Sequence, residues 1–209
     1  MSITHHPDDS TLMSYAAGAL PGALAAVTAA HLALCERCRD ELAVMELMGG
    51  ALLADLPGVP LRRPEPAAPN MTPSHRRSAE PSQAAEVPPP LATLIGDDLQ
   101  SVRWRWLSRG VWVKRLPITG EGLLHVFKGK PGARLPNHGH LGSELTLVLR
   151  GTLEDSTGCY HRGDVCDLDE AVEHTPIAGP EGCICVVAQD RPIRFRSLMA
   201  RLARPWHGM

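Results

Sequence analysis

His31-Leu32-Ala33-Leu34-Cys35-Glu36-Arg37-Cys38 sets one imidazole and two thiols at the spacing H-x3-C-x2-C. On a helix, positions i, i+4 and i+7 share one face, so the three side chains converge on a point. Such a point suits a tetrahedral zinc ion. Three ligands leave one place open, and His5 and His6, both ahead of the first apolar stretch, are the two candidates for it. Around this stretch residues 1–56 read as helices. Asp8 or Asp9 caps a first helix through Leu12, Tyr15 and Ala16, with Gly18 past its end. Pro21 opens a second, whose Leu24, Val27, His31 and Leu34 recur at helical spacing. A third follows Cys38, with Leu42, Met45, Leu47, Met48 and Leu52 as its apolar stripe. A unit so small and rich in alanine buries little surface and needs a staple. Thiolate-bound zinc supplies on the order of 10 kcal/mol in zinc-finger peptides.

Downstream the composition changes. Ten of the nineteen prolines fall in residues 57–90, mixed with Ala, Ser, Glu and Arg. Proline removes backbone donors and breaks helices, so this stretch reads as a semi-extended linker. Residues 91–209 read as strands: Val102–Trp106, Gly110–Leu116, Leu123–Phe127, Leu145–Leu149, Gly182–Ala188 and Arg194–Arg196, separated by turn residues at short intervals. That pattern predicts an all-β sandwich or barrel.

Inside the β half lies a second cluster, Gly132-x5-His138-x-His140-x3-Glu144-x6-Gly151. Residues i and i+2 of an extended segment face the same way, so His138 and His140 can share one ion. Glu144 adds a carboxylate if the backbone turns near Gly142, and His174 is the candidate fourth ligand from a later strand. Three imidazoles and a carboxylate suit Zn, Mn, Fe or Ni. His75, His125, His161 and His207 have no partner at ligand spacing.

The totals exclude several classes. A net charge of −2 and 4% aromatic residues argue against a general nucleic-acid or anionic-membrane surface. No signal peptide is evident, and the apolar Ala23–Ala30 is too short to span a bilayer. A cytoplasmic, reducing compartment is expected, where paired thiols serve as ligands rather than disulfides. Cys159, Cys166, Cys183 and Cys185 read as packing residues, the last two on one face of an apolar strand.

Gly132–Gly151 resembles the first cupin motif at each of its fixed positions, and Gly163 to His174 resembles the second in part, with Asp169, Ala171 and Ala178 in place of its proline, second glycine and asparagine. The chain as a whole resembles the ChrR-type zinc-binding anti-sigma factors. The resemblance is carried by Ile3–His6, Tyr15–Gly18, His31–Cys38, Val102–Arg105, His138–His140, Glu144–Leu149, Glu173–Pro176 and Cys183–Cys185. It implies an α+β chain of two domains: a small all-α zinc-stapled domain (1–56), the linker (57–90) and an all-β cupin, a double-stranded β-helix or jelly-roll barrel (91–209). It implies His6, His31, Cys35 and Cys38 as ligands of a first Zn2+, and His138, His140, Glu144 and His174 as ligands of a second Zn2+ or another divalent metal. It further implies transcription regulation: a 1:1 complex with an extracytoplasmic-function (group IV) sigma factor, released on oxidative stress from singlet oxygen or organic peroxide, without direct DNA binding or a membrane. The family's fourth amphipathic helix has no counterpart in the proline-rich stretch, which lacks apolar periodicity. The alternative expectation is a metal-dependent, dioxygenase-like cupin enzyme with the helices as a tether.

Overall fold

The computed structural model describes residues 2–59 and 85–195. The greater part of the proline-rich stretch, together with Arg196, His75 and His207, lies outside the described residues.

Four helices come first: α1 (Asp9–Ala16), α2 (Gly22–Leu32), α3 (Glu36–Ala54) and α4 (Pro89–Ile95). Asp8 stands at the N-cap of α1 and Asp9 in its first turn, where negative charge favours the helix. The chain leaves α1 through Gly18 at φ +66°, and Ala19 N–H closes the end by donating to the Ser14 carbonyl. In α2 Ala23, Leu24, Val27, Thr28, Ala30, His31 and Leu32 are buried and Ala25, Ala26 and Ala29 half-buried, as for a helix wedged between other elements. Whereas strands are expected from Leu91 onward, Pro89–Ile95 is helical. Pro88 and Pro89 lie at its first turn, where the absent N–H has no partner to lose and the fixed φ suits a helix.

The strands are β1 (Arg105–Ser108), β2 (Val111–Leu116), β3 (Leu123–Gly129), β4 (His138–Gly139), β5 (Glu144–Glu154), β6 (Cys159–His161), β7 (Val165–Leu168), β8 (Glu173–His174), β9 (Ile177–Gln189) and β10 (Arg194–Phe195). They form a seven-stranded sheet in the order β1-β2-β3-β9-β5-β6, with β7 also pairing β5, and a three-stranded sheet β10-β4-β8. Each named pairing is antiparallel.

The central strands are buried on both faces. Val148, Cys183, Cys185 and Val187 join Leu107, Val113, Phe127, Leu153 and Cys166 in one core on one face of the seven-stranded sheet. On the other face Leu145, Leu147, Leu149, Ile184, Val186 and Ala188 meet Ala23, Leu24, Val27 and Ala30 of α2 and Val87, Leu91, Ile95, Leu99 and Val102 from the α4 segment. This is why the β5 and β9 sequences run apolar instead of alternating with polar residues. Gly151, at φ +74°, marks the crossing of β5 and β9, and a Cβ there would run into the Gly182 carbonyl. The helical end is thus seated on the sheet: Ala23 N–H donates to the Glu121 carbonyl at 3.1 Å. A third, small core holds Leu12, Leu32, Cys35 and Cys38, with Ile3, Tyr15, Leu42 and Met45 at its margin.

Candidate metal centres

His31, Cys35 and Cys38 do not share one helix. His31 lies in the last turn of α2, Cys35 is the N-cap of α3, and Cys38 lies in the first turn of α3. The chain turns at Ala33–Cys35, with the Leu34 and Cys35 N–H groups donating to the His31 carbonyl, both at 2.8 Å. The three side chains converge all the same, because the turn folds the start of α3 back on the end of α2.

His6, on the extended N-terminal segment, joins them: the four donor atoms lie within 4.8 Å of one another. His6 Nδ1 is 3.4 Å from Cys35 Sγ and 3.3 Å from Cys38 Sγ, and His31 Nε2 is 3.3 Å from Cys38 Sγ. His31 Nδ1 donates to the Gly163 carbonyl at 2.8 Å, which leaves the Nε2 lone pair directed into the cluster. Burial lowers the His31 pKa to about 4, so the ring is neutral near pH 7. Burial and the neighbouring Cys35 raise the Cys38 pKa, and a cation is what would favour its thiolate. His5 faces elsewhere, its ring 4.6 Å from that of Tyr160 and its Nδ1 3.4 Å from Asp164 Oδ2. A closed set of two thiols and two imidazoles fits tetrahedral zinc.

The second cluster sits where the two sheets meet. His138 on β4 pairs in register with His174 on β8, His140 follows just past β4, and Glu144 begins β5. Their donor atoms also lie within 4.8 Å of one another, and all four residues are buried. His138 Nδ1 donates to the Pro136 carbonyl at 2.9 Å, and His174 Nδ1 to Asp155 Oδ2 at 2.7 Å. Both acceptors only accept, so in the neutral rings the lone pairs fall on the two Nε2 atoms, which face each other at 3.1 Å. Two lone pairs so close repel unless a cation stands between them. Glu144 closes the set, with Oε2 3.4 Å from His140 Nε2 and Oε1 3.6 Å from His174 Nε2.

Burial alone would raise the Glu144 pKa, but the three histidines outweigh it and hold it at about 2. Burial likewise lowers the His138 pKa, whereas at His140 the Glu144 carboxylate outweighs burial and the pKa is raised. The donor set fits Zn, Mn, Fe or Ni.

Three supporting residues escape the sequence reading. Gln189 Nε2 donates to Glu144 Oε2 at 2.5 Å, Thr146 Oγ1 to Glu144 Oε1 at 3.4 Å, and Asp155 orients His174. Thr146 was within reach, two residues from Glu144 on the same face. Asp155 was not: β5 carries irregularities between Val148 and Arg150 and between Gly151 and Leu153, so the inward parity changes from Glu144, Thr146 and Val148 to Leu153 and Asp155.

Residues 94–192 match the family described as the ChrR cupin-like domain. Over 211 residues the chain is 38% identical to the anti-sigma-E factor ChrR of Cereibacter sphaeroides (strain ATCC 17023), covering 99% of each. It is also similar to the ChrR chain in the crystal structure of Rhodobacter sphaeroides SigE in complex with the anti-sigma ChrR: the TM-score is 0.75 and the identity 37%, covering 90% of this chain and 100% of that one.

Proposed function

Because this chain belongs to the ChrR family of anti-sigma factors, we propose that it binds and inhibits an extracytoplasmic-function sigma factor, one to one, in the cytoplasm. The observation that carries this reading is the set of exposed apolar side chains along the second half of α3, beyond the small core. Val44, Leu47, Met48, Leu52 and Leu53 stand largely in solvent there, Leu47 at 74% and Leu52 at 70% exposure, with Leu56 just beyond the helix. Apolar helix side chains left uncovered by the other described residues suit a helix-in-groove contact. Among the described residues no helix is long and apolar enough to cross a membrane.

In this reading the helical unit (1–56) grips the partner and the cupin unit (91–209) acts as the sensor, with the proline-rich stretch between them. His6, His31, Cys35 and Cys38 hold a zinc ion that joins the N-terminal segment, α2 and α3. His138, His140, Glu144 and His174 hold zinc or another divalent ion, and singlet oxygen or organic peroxide acts on that unit to favour release. The relative is named as an anti-sigma factor, which favours a regulatory role over a dioxygenase-like one. The test is co-purification from the cells that make the protein. The tagged chain should carry a sigma factor at equal stoichiometry, and Cys35→Ala with Cys38→Ala should lose it. Retention of the sigma factor by the double variant would overturn the role given to the first ion.

A further inference from the structure

The two candidate metal centres lie on different elements, yet an unbroken run of contacts joins them. His174 Nδ1–H donates to Asp155 Oδ2 at 2.7 Å. Asp155 Oδ1 accepts from Thr157 Oγ1 at 2.5 Å and from Thr157 N–H at 2.7 Å. Thr157 Oγ1, its proton committed to Asp155, accepts from the Tyr160 hydroxyl at 2.8 Å. The Tyr160 ring lies 4.6 Å from that of His5. Gly158 fills the corner, where a Cβ would come within 3.3 Å of both His5 Nε2 and the Tyr160 hydroxyl.

From there the turn between β6 and β7 touches both sides of the first cluster. Asp164, buried, accepts from the Thr4 and His5 N–H groups at 2.7 and 3.1 Å, immediately before His6. The Gly163 carbonyl accepts from His31. Val165 N–H also donates to the His5 carbonyl at 3.1 Å. Two of the four first-cluster residues are therefore positioned by one turn of the barrel, and that turn follows directly on Tyr160.

We propose that Asp155, Thr157 and Tyr160 couple the two centres, so that filling the His138/His140/Glu144/His174 cluster tightens metal binding at the His6/His31/Cys35/Cys38 cluster. This rests on the reading that both clusters hold ions. An ion on His174 Nε2 fixes that ring, and with it Asp155, Thr157 and Tyr160, against which His5 and the neighbouring His6 are held. An empty barrel cluster frees the ring to turn and loosens the same run. Tyr160 and Thr157 are positioning residues; neither supplies a ligand.

The experiment is a cobalt titration of the full chain, since thiolate-to-cobalt absorption reports only the cluster that contains cysteines. His140→Ala empties the barrel cluster. It should weaken cobalt binding at the cysteine cluster by about tenfold, a usual size for coupling between sites. In a Tyr160→Phe background, which keeps the ring but removes the hydroxyl, the same change should shift that affinity by less than about twofold. Thr157→Val, which breaks the run without touching the ring, should behave like Tyr160→Phe. An unchanged cysteine-cluster affinity in His140→Ala, or an undiminished shift in both backgrounds, would overturn the coupling while leaving the two sites standing. Absence of any thiolate band, or only one cobalt bound per wild-type chain, would overturn the two-ion reading and the coupling with it.

Discussion

The helical end of the chain and the barrel each gather four donor side chains, but on very different amounts of buried surface. At the helical end the local core is Leu12, Leu32, Cys35 and Cys38, so half of it consists of proposed ligands. In the barrel the ligands sit beside a core that runs from Leu107 to Val187 and contains none of them. An ion at the helical end therefore substitutes for a core, whereas an ion in the barrel is added to one. Loss of metal should be structural in the first case and local in the second.

The widest separation should come from ligand removal. Cys35→Ser with Cys38→Ser should destabilise the α1–α3 packing by on the order of 5 kcal/mol or more. Hydrogen exchange should then show α3 opened and β5 and β9 still protected; an α3 as protected as before would break the comparison. Next in size is the partner face. Leu47→Glu with Leu52→Glu should weaken sigma-factor binding by about 100-fold or more, on the order of 3 kcal/mol. The melting temperature should hardly move, because both side chains are already in solvent, and a large drop in it would mean that this face packs within the chain.

Acid should separate the regions again in metal-free protein. Burial holds His31 near 4 while its unfolded pKa is 6.5, so the unfolded chain takes up the proton first as pH falls. Its contribution is complete above pH 6.5 and is lost between 6.5 and about 4, on the order of 3 kcal/mol. In the barrel the His138 and His140 pKa values move in opposite directions, so their contributions run in opposite senses with pH. Glu144 and Asp155, both held at about 2, keep their contribution until pH falls below their ordinary values of 4.5 and 3.8. Denaturation followed region by region by hydrogen exchange should show the helical end softening near pH 5 with the barrel intact. The smallest effect is Asp155→Asn, which should lower metal affinity of the barrel cluster by about tenfold, read by chelator competition, with the barrel still folded.

That His31, Cys35 and Cys38, and His138, His140 and Glu144, would come together was legible in residue type and spacing, whereas spacing alone left His5 and His6 undistinguished. The geometry behind them was less so. H-x3-C-x2-C fits one continuous helix, and nothing in Leu32-Ala33-Leu34 announces the turn that places Cys35 at an N-cap. The expected stripe on α3 splits in two: Leu42 and Met45 pack at the margin of the small core, but Leu47, Met48 and Leu52 do not. Helical periodicity says which residues share a face and not what will cover that face. Leu145–Leu149 was legible as a strand, but its outward leucines identify α2 as their cover only when the fold is known. Asp155 was hidden by the bulges in β5, after which counting by twos points the wrong way.

The leucines at 145, 147 and 149, with Ile184, Val186 and Ala188, have a practical corollary. Severing the polypeptide near residue 90 to express the barrel half would strip α2 from that stripe and leave only Leu91, Ile95, Leu99 and Val102 to cover it. Such a fragment should clump, and its companion, a helix relieved of its bed, should fare no better. The helical and barrel halves share one apolar bed, so dissection of their proposed roles belongs to point substitutions within the intact molecule rather than to scissors.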